Sequence, residues 1–194
     1  MDVKLTEKNI YIVHGYTASS KANWFPWIKE QLEAKGIKTY IPDMPDSQNP
    51  YYDNWLAHLS ETITDINDET IFIGHSLGCI ASMRFLLEKN IKIKGAIFVS
   101  GFIDENPMEV KTVGLQSFFN DPLDIGKLKC IIPNRVAITA VDDDIVPTNA
   151  TKIMADKINA QLLELKSGKH FIDRDGYTKF PLILTEVEHL INID

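Results

Sequence analysis

The sequence predicts a three-layer α/β/α fold, a doubly wound and mostly parallel sheet of about six strands with helices on both faces. Short apolar runs alternate with amphipathic stretches along most of the chain. Most intervals between the runs can hold a crossover helix, which parallel neighbours require. A length of 194 residues with 44% hydrophobic content suits one domain with a full core.

The elements follow in order. An apolar run at 10–13 is the first expected strand, and the helix at 24–35 tolerates Pro26 because early helical N–H groups have no partner within the helix. Strand 38–41 and helix 54–66 come next. Residues 70–73 are β-branched and aromatic, as a buried strand should be, and 77–89 carries apolar residues at helical spacing. A fourth strand is expected at 96–99. The interval 101–134 then breaks the alternation: it is long, contains Pro107, Pro122 and Pro133, and has a short helical pattern around 110–119, so it reads as an inserted lid or cap. Strand 136–140, helix 149–159, strand 161–165 and helix 177–192 complete a single expected domain over 1–194. Repeats, low-complexity tracts and a dividing linker are all missing from the sequence.

Net charge is −7 and no block of lysine or arginine occurs, so nucleic acid and anionic membrane surfaces are not expected partners. Nothing in the sequence indicates a protein partner. The first residues lack the apolar segment of a signal peptide and no run reaches membrane-spanning length, so a cytoplasmic location is expected. Cys79 and Cys130 have no metal-ligand spacing and lie among apolar neighbours. Both are expected to be buried free thiols, with no metal site and no cofactor.

The stretch Gly74-His75-Ser76-Leu77-Gly78 lies between a strand pattern and a helix pattern. A G-x-S-x-G match arises by chance in about one chain in twenty of this length, so the flanks matter more than the pattern. Between a strand and a helix it reads as a nucleophile elbow, a sharp turn that exposes the serine while the glycines make room. A serine hydroxyl is a weak nucleophile at neutral pH, so the elbow calls for a histidine base and a carboxylate that orients it. In elbow enzymes of this architecture the chain order is serine, acid, histidine. Of the five histidines only His170 and His189 lie far enough downstream. His189 falls in an amphipathic helix pattern, whereas His170 sits in a polar loop just after the last strand, where a base would reach the carboxyl edge of the sheet.

The acid is expected after strand 136–140, where Asp142, Asp143 and Asp144 are adjacent; spacing does not choose among them. Such a run is also compatible with a solvated loop, a capping cluster or a weak cation site. One oxyanion donor is expected at the Leu77 backbone N–H. The other is expected at Tyr16 N–H, after the His14-Gly15 turn, with the His14 side chain bracing that turn. Trp24 and Trp27 are candidates to line a substrate pocket, or else pack the first helix onto the sheet.

With these residues in place the chain resembles the α/β-hydrolase superfamily, and within it the small serine hydrolases related to retinoblastoma-binding protein nine. The resemblance rests on Val13-His14-Gly15, Trp24-Phe25-Pro26-Trp27, Met44-Pro45-Asp46, the Gly74–Gly78 elbow, Met83-Arg84-Phe85, an Asp-x-x-Val-Pro arrangement and a Gly/His/Phe loop. It implies Asp143 as the acid, since the family's acid precedes Val-Pro by three positions, and His170 as the base. Lys169 departs from the family's usual adjacent Gly-His; it either brings an ammonium towards the imidazole or points to solvent.

The expected function is hydrolysis of a small ester, or of an amide or small peptide, through an acyl-enzyme without a cofactor. A short candidate lid points to short acyl groups. Two other classes stay open: a binding module that keeps the fold without turnover, and a thioesterase or acyltransferase using the same residues.

Overall fold

The computed structural model describes residues 8–193. Its strands are β1 (Asn9–Val13), β2 (Lys38–Tyr40), β3 (Ile71–His75), β4 (Gly95–Val99), β5 (Asn134–Ala140) and β6 (Gln161–Leu165). They form one sheet in the order β2-β1-β3-β4-β5-β6, and every neighbouring pair is parallel. The helices are α1 (Phe25–Glu33), α2 (Tyr52–Thr62), α3 (Leu77–Lys89), α4 (Val113–Gln116), α5 (Ile125–Ile131), α6 (Thr148–Ile158) and α7 (Pro181–Ile191), with 3-10 turns at Ser117–Phe119 and Asp173–Asp175.

Side chains alternate across each strand, and that period sorts the core into two layers. Ile10 and Ile12 of β1 join Ile71, Ile73, Ile97 and Val136 beneath α1 and α7, which contribute Phe25, Ile28, Leu32, Ile183 and Val187. Tyr11 and Val13 turn the other way, with Phe72, Ala96 and Phe98, against Trp55 of α2, Ile80 and Phe85 of α3, Leu128 of α5 and Met154 of α6. Strands covered on both faces read as unbroken apolar runs, which is why β1, β3 and β4 stand out in the sequence. No helix among the described residues is long and apolar enough to cross a membrane.

Three expectations are corrected. The 101–134 interval holds a helix that was not anticipated: α5 packs against α3 and α6 as the crossover between β4 and β5. Cys130 is exposed rather than buried. On so short an amphipathic helix Leu128 and Ile131 take the core-facing positions, and Cys130 between them is left outside. The last helix begins at Pro181 rather than at 177, because Gly176 (φ 87°) closes a 3-10 turn first and proline suits the opening of a helix.

From β1 the chain steps outward to β2, then returns across β1 to β3. The sheet therefore has its switch point between the carboxyl ends of β1 and β3, where a crevice opens in folds of this kind.

Candidate active site

Ser76 follows β3 and precedes α3 with φ 54° and ψ −123°, a conformation L-residues seldom adopt. The surroundings hold it there. Its N–H still donates to Val99 O (2.8 Å), continuing the ladder to β4, while the next residue already belongs to α3. The turn closes so tightly that a Cβ on Gly78 would collide with the Val13 carbonyl, and one on Gly15 would lie 2.9 Å from both His75 O and Ser76 Cβ. Any larger residue at either position would push the β1 loop off the elbow. Leu77 opens α3, so its N–H has no partner within the helix. Tyr16, on the loop pressed against the elbow through Gly15, lines the same cleft as Ser76.

His170 and Asp143 meet directly. Nδ1 of His170 lies 3.0 Å from Asp143 Oδ2 and 3.1 Å from Oδ1. Both side chains are shut off from solvent: 6% of the imidazole and none of the carboxylate is exposed. Asp143 Oδ1 also accepts the N–H groups of Ile145 and Val146 (2.9 Å each), and Oδ2 accepts the Ser100 hydroxyl (2.7 Å). Burial pushes the Asp143 carboxyl up, but the imidazole and the two backbone N–H groups outweigh it, leaving the group below the usual carboxylate range.

The other two aspartates hold the same histidine loop by other means. Asp142 Oδ1 accepts the N–H groups of Gly168 (2.8 Å) and Lys169 (2.9 Å), which draw its carboxyl below its ordinary pKa. Asp144 pairs with Arg174 (3.0 Å), which also meets Asp175 (3.2 Å), and Asp175 Oδ2 accepts the His170 N–H (3.3 Å). The Asp144 pair is exposed, so water and salt screen it and it adds little stability. Among the described residues no group of three or more His, Cys, Asp or Glu side chains gathers as a metal site. Lys169 is exposed and takes a left-handed conformation (φ 50°), so the extra residue is absorbed by the loop backbone that Asp142 clamps.

Two residues far from the loop in sequence, and packed against each other, fix its carbonyls. His75 Nε2–H donates to His170 O (2.9 Å), and Trp24 Nε1–H donates to Phe171 O (3.0 Å). Trp24 is completely buried among Phe25, Phe180 and His75, and Trp27 packs against the same core, so neither lines the cleft. Of the two readings of Trp24 and Trp27, packing of the first helix onto the sheet is the one observed and the substrate-pocket role is corrected: both rings are directed into the core. His14 braces its turn. Its Nε2 accepts the Met44 N–H (3.0 Å) and its Nδ1–H donates to Gly15 O (3.0 Å), with burial keeping the ring below its ordinary pKa. His189, 67% exposed at its side chain, pairs with Glu186 on α7 and takes no part in the cleft.

The cleft has a volume of about 220 Å³ and is lined by Tyr16, Ser76, His170, Met108, Ile145 and Asp173 among others. Two contributors lacked a sequence signal. Ser100 stands directly after β4 with φ 48°, and nothing in the strand pattern announces its bond to Asp143. Met108 comes from the interval expected to be a lid and reaches the cleft from the chain between β4 and β5.

His75 makes a pH prediction. Burial, then the neighbouring His170, lowers its pKa from 6.5 to about 3, and its Nδ1 has no partner among the described residues. The unfolded chain therefore binds a proton that the folded one refuses, and stability falls as pH drops from about 6.5 towards 3. Thermal unfolding at pH 7 and pH 5 is expected to show a lower midpoint at pH 5, and His75→Gln is expected to flatten that difference. An equal difference in the variant would assign the acid loss elsewhere.

Comparison with known proteins gives the family and the fold. The family model described as serine hydrolase matches residues 10–189. YdeN of Bacillus subtilis (strain 168) is 37% identical over 178 residues, covering 91% of this chain and 92% of that protein. Its crystal structure superposes with a TM-score of 0.90 at 34% identity, over 96% of this chain and all of that one (100%). Serine hydrolase RBBP9 of Rattus norvegicus is 28% identical over 149 residues, 76% of this chain and 77% of its own length. A carboxylesterase structure from Nitrososphaera gargenis shares the fold at 12% identity, with a TM-score of 0.72 over 95% of this chain and 91% of that one.

Proposed function

The chain belongs to the serine hydrolase family, and on that premise we propose that it cleaves a small ester, or an amide of similar size, through Ser76, His170 and Asp143. The observation that carries this reading is the Asp143 to His170 Nδ1 junction beside a cleft that both His170 and Ser76 line. With Nδ1–H committed to the carboxylate, the lone pair sits on Nε2, which takes the proton from Ser76 Oγ as the oxygen attacks the carbonyl. The N–H groups of Tyr16 and Leu77 receive the oxyanion. Nε2–H then protonates the leaving alcohol, and water repeats the sequence on the acyl-serine to release the acid. Asp143 keeps the tautomer and stabilises the imidazolium at each transfer. No step calls for a cofactor.

The test pairs a fluorophosphonate probe with p-nitrophenyl acetate. The folded protein is expected to label once, at Ser76, and to lose ester turnover in proportion to labelling. A folded protein that neither labels nor hydrolyses the ester would sink the reading.

A further inference from the structure

The cleft has two unlike flanks. On one flank the loop after β1, with Thr17, the small Ala18 and Ala22, and Asn23, meets Asp173 from the loop after β6, whose N–H donates to Asn23 Oδ1 (3.0 Å); Thr17 and Asp173 are exposed. On the β4 and β5 side stand Met108 and Ile145, with Met108 only 4% exposed. Two-step hydrolysis treats the two ends of an ester differently. The alcohol must reach solvent and water must enter while the acyl group is still bonded to serine, so only the acyl end can sit in a closed apolar pocket.

Met108 is held in place rather than draped over the site. Asn106 is buried (2% exposed), and its Oδ1 accepts the Met108 N–H (3.0 Å) while its Nδ2 donates to Val110 O (2.8 Å). The Asn106 carbonyl in turn accepts a bond from Lys111 Nζ. The locked turn fixes the Met108 backbone, and the core around it, which leaves the residue 4% exposed, confines a side chain that would otherwise turn about its three bonds. The cleft's volume of about 220 Å³ lies below the roughly 300–1,000 Å³ of sites that enclose drug-sized ligands.

Resting on the assignment of Ser76 as the acylated residue, we propose that Met108 and Ile145 form the acyl pocket and that Met108 sets its length limit. The substrates are then esters of short aliphatic acids, of about two to four carbons, with the alcohol leaving past Thr17 and Asp173.

The experiment compares kcat/KM along p-nitrophenyl acetate to octanoate and along a matched series of alkyl acetates. In Met108→Ala, which removes the side chain beyond Cβ, the hexanoate-to-acetate ratio is expected to rise about tenfold or more, since each methylene accommodated or refused changes kcat/KM by roughly that factor. Met108→Phe is expected to lower the ratio, and Asn106→Ala to raise it less than Met108→Ala. Val113→Ala, at a residue 75% exposed on the same segment, is expected to leave the profile unchanged. Fluorophosphonate labelling of every variant reports separately on Ser76. An unchanged ratio in Met108 variants that still label, or a shift confined to the alkyl series, overturns the acyl-pocket assignment alone. Failure of the wild type to label overturns the reading beneath it.

Discussion

Ser76→Ala is expected to lower kcat for p-nitrophenyl acetate by about a millionfold, the size of loss seen when the nucleophile of a serine triad is removed. What survives is the contribution of binding and the oxyanion donors, still about a thousandfold over water. The substitution suits the test because it leaves the backbone problem alone. Ser76 sits at φ 54°, and alanine carries the same Cβ into the same strained turn, so the elbow keeps its shape while the hydroxyl disappears. Fluorophosphonate labelling should vanish with turnover, and circular dichroism should match the wild type. Retained turnover in the alanine variant would move the nucleophile elsewhere.

Asp143→Asn carries the second largest expected effect, a fall in kcat of about ten thousandfold. The bonds around the carboxylate explain why so small a change costs so much. The N–H groups of Ile145 and Val146 both point at Oδ1, so the amide oxygen of asparagine is held there and its NH2 is turned to where Oδ2 now meets His170 Nδ1. The Ser100 hydroxyl can rotate to accept from that NH2. Facing a donor, Nδ1 must become the acceptor, and the ring proton moves to Nε2, the atom needed as base. The fold is kept and the tautomer is wrong.

The neighbouring aspartates make the control. Asp142→Asn keeps an oxygen for the Gly168 and Lys169 N–H groups, and Asp144→Asn loses only an exposed pair, so each is expected to stay within about tenfold of the wild type. An equal collapse at Asp144 would overturn the choice of acid. Stability gives a second check. Since the Asp143 carboxyl is held below its ordinary range, its contribution is present above that range and is lost as pH falls through the lowered folded value. Asp143→Asn should lack that acid-side loss.

The alternation of apolar runs was enough to anticipate all six strands: β1, β3, β4 and most of β5 are buried on both faces and read as unbroken apolar runs, while the largely exposed edge strands β2 and β6 are marked by shorter ones. Ser76, His170 and the His14 turn were legible for a related reason, since their positions just past strands are set by local chain order. The three aspartates were not separable. They are chemically alike, and only the path of the backbone after β5 decides that one faces the imidazole, one the Gly168-Lys169 backbone and one Arg174. For Trp24 the sequence left pocket wall and core packing open, because an aromatic near a site suits either; what it did not announce is the indole N–H that reaches Phe171 O. Asn106 gave no signal at all. A buried asparagine that locks a turn looks, in sequence, like any other loop residue.

That indole bond joins positions 147 residues apart, linking the segment before α1 to the loop after β6. The proposed nucleophile and both proposed oxyanion donors lie in the first half of the chain, while the proposed base arrives only after β6 and its loop is held by a tryptophan made long before it. During synthesis or refolding, an elbow can form on β1, β3 and β4 with nothing to activate it. With Ser76 and His170 in the proposed roles, hydrolysis begins only once the loop after β6 has docked against Trp24 and His75.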